Sequence, residues 1–156
     1  MKRAVTTNKR VEEVADLLCG QCCAGRVRII NRVVTSIYDD ALRPLGLKVT
    51  QMGILVAIGK LGEPSSGELL RWLQMEKSTL SRNVERMSKR GWVAVRPGKD
   101  GRSMAFKVTA RGGKLMERAV PRWQEAQKQT QALLGAKGEK ALFEIAERIG
   151  RRGQRG

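Results

Sequence analysis

The sequence predicts a mainly α-helical fold with one small two-stranded β-hairpin, in which long helices flank three short ones. Three observations carry that expectation. Apolar residues recur at three- and four-residue spacing over most of the chain, the mark of amphipathic helices. The period shortens to two in residues 92–95 and 104–108, around a turn rich in glycine and charge. Aromatic residues make up only 4% of the 156, so the core must come from Leu, Val, Ile, Met and Ala, as helical cores usually do.

Each element has its own signals. Residues 11–42 read as helix: Val11, Ala15, Leu18 and Cys22 recur, then Ile30, Val33, Val34, Ile37, Tyr38, Ala41 and Leu42 form a sustained stripe. Gly20 and Gly25 can loosen the helix between its halves, and Pro44 and Gly46 stop it. Thr50 is the expected N-cap of a short helix over 51–61, ended by Gly62 and followed by Pro64. Ser65 and Ser66 cap a second carrying Leu69, Leu70 and Leu73. A third covers 77–90 and closes at Gly91. Thr109 caps a long helix that Pro121 should bend or restart, that continues to Leu134 and breaks over 135–138. A last amphipathic helix, 139–149, carries Leu142, Ile145, Ala146 and Ile149. Three helices followed by a hairpin make a winged helix-turn-helix, and the flanking helices have more apolar face than one small module can cover. The expected organisation is therefore a basic arm over 1–9 and one domain over 10–150. Within it, 10–46 and 110–149 serve as dimerisation helices and 50–109 as the DNA-binding module, with a basic tail over 150–156.

Charge narrows the function. Lys and Arg total 31 against 15 acids, a net of +16. Such a chain repels itself, and a polyanion relieves the repulsion. There is no histidine, which removes the commonest general base and most zinc sites. No paired carboxylates share one motif and no glycine loop is suited to phosphate chemistry, so neither an enzyme nor a cofactor is expected. The first ten residues are polar and basic, without the apolar run of a signal peptide, and no stretch approaches the ~20 apolar residues of a membrane span. With three clustered cysteines rather than a disulfide framework, the chain is expected in a reducing cytoplasm. A basic helical adaptor for an acidic protein is the competing class.

The candidate DNA-contacting residues follow from helical phase. On the helix over 77–90, Leu80, Val84 and Met87 share one side and should pack inward. The other side offers Lys77, Ser78, Thr79, Ser81, Arg82 and Arg86, short hydroxyls followed by guanidinium groups. That suits a recognition helix whose first turns enter the major groove, with Arg82 able to fork onto guanine or phosphate. The turn between the strands adds Arg96, Lys99 and Arg102 on a thin tip suited to a minor groove, while Asp100 reads as a partner for a neighbouring Arg or as turn geometry alone.

Residues 100–112 (DGRSMAFKVTARG) resemble the wing signature of MarR-type regulators, with Val-Thr where that signature has Leu-Thr. Residues 76–84 leading to 89–93 are similar to that family's recognition helix and its exit, and residues 40–47 with Thr50-Gln51 to the end of its first helix. The resemblance spans roughly residues 10 to 150. It implies a homodimer joined through terminal helices, reading a palindromic operator on double-stranded DNA, usually as a repressor. It also implies release by a small phenolic or aromatic effector or by cysteine oxidation.

Cys19, Cys22 and Cys23 crowd into five positions. On an unbroken helix Cys22 would sit centrally on the apolar face, with Cys19 and Cys23 one turn apart. Three readings stay open: packing as small hydrophobes, redox sensing as in some MarR-type regulators, and soft-metal binding. Arg26 falls on the same face. Buried, it would need an anion such as an effector carboxylate; otherwise its long side chain escapes to solvent.

Overall fold

The computed structural model describes residues 9–98 and 103–153. In order they form α1 (Lys9–Gln21), α2 (Cys23–Leu42), a 3-10 turn (Arg43–Leu45), α3 (Val49–Leu61), α4 (Ser66–Leu73), α5 (Lys77–Lys89), β1 (Val93–Pro97), β2 (Met104–Val108) and α6 (Ala110–Gly153). By contacts the chain divides into two compact units, one ending at Ser36 and the other starting at Ile37. Among the described residues no single helix is long and apolar enough to cross a membrane.

In the first unit, the single helix expected over 11–42 is interrupted at Cys22. Neither Gly20 nor Gly25 is the break; Cys22 leaves the helical run, and its sulfur accepts the Gly25 N–H at 3.4 Å at the start of α2. No residue of α1 is buried, and Val11, Val14, Leu17 and Leu18 stand exposed.

The second unit holds the core. Leu42, Leu47, Ile54, Leu55, Ile58, Leu69, Met87 and Val93 are fully buried in it. α3 lies at its centre, apolar on nearly every side, as a helix surrounded by others must be. Thr50 does not cap α3, contrary to the local reading: the helix starts at Val49. The Val49 N–H donates to Asp39 Oδ1 on α2 at 2.8 Å, and the Lys48 N–H to Gln51 Oε1 at 3.1 Å. A cap delivered from ten residues upstream leaves no local signature at Thr50. α4 is capped as expected, by Ser65. The Ser65 Oγ accepts the Glu68 N–H at 3.3 Å, and Glu68 Oε2 accepts the Ser65 N–H at 2.7 Å. Those bonds from Ser65 hold the Glu68 carboxyl below its usual range, so this cap is intact above that range and is lost as acid protonates Glu68.

β1 and β2 pair antiparallel with Val93 opposite Val108 and Pro97 opposite Met104. Trp92, expected in the strand, instead finishes α5: its N–H reaches the Met87 carbonyl at 2.9 Å while Gly91 takes φ +70°. A contribution missing from the sequence reading is Pro64–Ser65. Its Ser65 bridges Ala105, and the Phe106 N–H donates to the Pro64 carbonyl at 3.0 Å, tying the hairpin to the start of α4.

α6 narrows two further expectations. The helix does not restart at Pro121: its helical backbone runs through that residue. Pro121 forfeits one bond, to the carbonyl of residue 117, and Glu117 is exposed, where water can take that carbonyl. The break expected over 135–138 is confined to Gly135, at φ 66° and ψ 163°, and Gln131 reaches across it to Glu139 at 2.8 Å. Beyond it Leu142, Phe143, Ile145 and Ile149 are exposed.

Candidate nucleic-acid interface

α5 sorts its side chains as helical phase requires. Leu80, Val84 and Met87 are buried, while Lys77, Ser78, Ser81, Arg82 and Arg86 are exposed and Thr79 is half-buried. Its first turn contains no acid, and the N-cap residue Glu76 makes no side-chain cap bond, so no side chain accepts from the first N–H groups of the helix. Arg82 has no carboxylate partner among the described residues. Lys89 differs, pairing with Glu85 at 2.6 Å and holding that carboxyl below its usual range. The Asn83 amide donates to the Thr79 carbonyl at 2.9 Å, which leaves the Thr79 hydroxyl outside that contact.

Packing sets the helix in place from both ends. Gln74, before it, adopts φ 49°, a left-handed turn that sequence reading passes over because no glycine marks it. After it, Arg90 stacks over Trp92 at 4.9 Å and donates to the Gly46 carbonyl. The hairpin then leaves directly from Trp92, and Arg96 lies exposed on β1. Lys99, Asp100 and Arg102 lie outside the described residues.

At the foot of the hairpin, Thr109 locks α6 to the exit of α5. Its Oγ1 donates to the Gly91 carbonyl at 2.6 Å and accepts the Gly112 N–H at 3.0 Å, while its own N–H donates to the Trp92 carbonyl at 3.1 Å. Gly112 is required by the closeness of this joint. A Cβ there would collide with the Trp92 carbonyl oxygen and come within 3.0 Å of Val108 Cγ1. The Thr-x-x-Gly spacing therefore has a steric cause.

The MarR family profile matches residues 45–103, the segment from the end of the 3-10 turn to the residue before β2. The crystal structure of the Mycobacterium tuberculosis transcriptional regulator MosR in complex with DNA is 31% identical. The match covers 86% of this chain and 97% of that one, with a TM-score of 0.74. The chain belongs to the MarR family. A mutant Escherichia coli MarR complexed with operator DNA shares this MarR fold at 22% identity and a TM-score of 0.76, covering 86% of this chain and 98% of that one. The HTH-type transcriptional regulator YwoH of Bacillus subtilis is 28% identical over 86 residues. That is 55% of this chain, and the chain spans 63% of the length of that curated relative.

The remaining candidate residues of this MarR-family chain lie elsewhere. Cys19, Cys22 and Cys23 are all exposed free thiols, so within one chain none is the packed core residue that an unbroken helix would make of Cys22. No group of three or more Cys, Asp or Glu suited to a metal occurs among the described residues. Arg26 is exposed and donates to the Gly20 carbonyl at 3.4 Å. An apolar cavity of about 420 Å³ opens between α3, α4 and α6, lined by Val49, Met52, Val56, Trp72, Val120 and Trp123.

Proposed function

We propose that this chain is a sequence-specific transcription regulator that binds a palindromic operator as a homodimer, acting as a repressor. The observation that carries the reading is α5: a buried apolar side, an opposite side of hydroxyls and unpaired arginine, and an uncapped positive end, followed at once by the hairpin. The DNA complexes of MosR and of E. coli MarR support the same use of the fold here. Lys77, Ser78, Thr79, Ser81, Arg82 and Arg86 are the proposed major-groove and phosphate contacts, and Lys99 and Arg102 the wing contacts. The exposed apolar residues of α1 and of α6 beyond Gly135 supply the dimer surface.

Selection of bound fragments from a genomic pool tests this directly. The expected result is a recovered palindrome with half-sites about one helical turn apart. Sedimentation should give about twice the chain mass without DNA and two chains per site with it. A clean monomer, or failure to retard any fragment at low salt, overturns the reading in favour of a basic protein-binding adaptor.

Control is assigned to two places. The cavity between Trp72 and Trp123 has the size and apolar lining for a small planar aromatic effector. The cysteines at the α1–α2 interruption are the proposed redox element. Peroxide should weaken operator binding and a thiol reductant restore it. A triple Cys→Ser chain that responds as the parent does would remove the cysteines from regulation.

A further inference from the structure

We infer that the cleft at the foot of the wing binds a small organic phosphate: a dianion carried on an apolar body. The cleft holds about 520 Å³, within the range of small-ligand sites, and lies where the 3-10 turn, the α5–β1 turn and the first turns of α6 meet. Its apolar surface is Leu45, Trp92 and Leu115, and its charged lining residues are Arg111, Lys114 and Arg118. Among the described residues no carboxylate lines it.

The three cations sit at i, i+3 and i+7 and therefore share one face of α6. All three are exposed, and none has an ion-pair partner among the described residues. The neighbouring cations are already engaged: Arg43 pairs with Asp40, and Arg90 holds the Gly46 carbonyl and stacks on Trp92. Grouped positive charge without a counter-ion raises the local potential, and a bound anion relieves it.

Charge and shape together select the ligand class. A monoanion leaves most of the three charges unbalanced. A phosphate monoester carries about −1.5 to −2 at neutral pH and three acceptor oxygens, matched to two guanidinium forks and one ammonium. Inorganic phosphate satisfies the rim but leaves half-buried Leu45 and the accessible edges of the otherwise buried Trp92 and Leu115 facing water, so an apolar or aromatic body belongs on the phosphate. The cleft adjoins the C-terminal exit of α5, about 12 Å along the helix beyond Arg82, away from the turns assigned to the major groove. The inference is thus independent of the DNA reading.

Calorimetric titration of the full chain without DNA tests it, with phenyl phosphate as probe and inorganic phosphate, benzoate and phenol as comparators. Phenyl phosphate should bind at least about tenfold more tightly than any comparator. Lys114→Gln with Arg118→Gln should weaken it about tenfold or more and leave the melting curve in place, since both side chains are exposed. The inference is overturned if inorganic phosphate binds as well as phenyl phosphate, or if the double variant binds like the parent. It is also overturned if phenyl phosphate gives no heat, and a lowered salt slope of DNA binding in the variant would then make this face a duplex contact.

Discussion

Gly112→Ala is expected to destabilise the protein by about 3 kcal/mol, while Gly113→Ala, one residue on in the same helix, is expected to stabilise it by about 0.5–1 kcal/mol. The opposite signs come from what surrounds each position. A methyl group at 112 meets the Trp92 carbonyl oxygen and the Val108 side chain. The Trp92 carbonyl is backbone, already held by the Thr109 N–H, so it cannot step aside without opening the joint between α5, the hairpin and α6. At 113 nothing lies within 4 Å, so alanine there only relieves the entropy that glycine costs a helix. Denaturant unfolding of both variants reads the difference. Equal midpoints for Gly112→Ala and the parent would mean that the Thr109–Gly112 corner does not set the approach of α6. Because that corner also orients the hairpin, any folded Gly112→Ala protein should bind operator less tightly than its stability alone explains.

Arg82→Ala is expected to cost about 1–3 kcal/mol per subunit on the preferred operator, hence about 2–6 kcal/mol for a dimer, and to relax preference at one position of each half-site. Arg82 is exposed, has no carboxylate partner among the described residues, and lies opposite buried Leu80, Val84 and Met87. Its loss should therefore leave the melting curve unchanged. Lys89→Ala is the internal comparison: Lys89 sits seven residues further along and is engaged by Glu85, so its loss should weaken binding far less. A uniform drop across all sequences would make Arg82 a phosphate contact. Full affinity in Arg82→Ala would remove this side of α5 from the DNA surface.

Periodicity alone was enough for much of this protein. It separated helix from hairpin, because side chains repeat at 3.6 residues in one and at 2 in the other, and it assigned Leu80, Val84 and Met87 to the inside of α5. Local capping chemistry placed the start of α4 at Ser65 and the corner at Thr109, since those bonds are made within three residues. Other features depend on groups far apart in the chain. Asp39 rather than Thr50 caps α3 from α2, Pro64 joins the hairpin through Phe106, and Arg90 reaches Gly46, none of which any sequence window displays. Phase put Cys22 at the centre of an apolar face; the interruption between α1 and α2 ends that phase, and within one chain all three thiols are exposed, as every residue of α1 is. Composition counted the positive charges, but only folding decided which were neutralised. Lys107 found Glu63 across 44 residues of chain, whereas Arg82 was left facing outward on α5 and Arg111, Lys114 and Arg118 around a cleft. The local code fixes bonds within a turn or two, and the unpaired charge that gives a surface its partners appears only when distant segments pack.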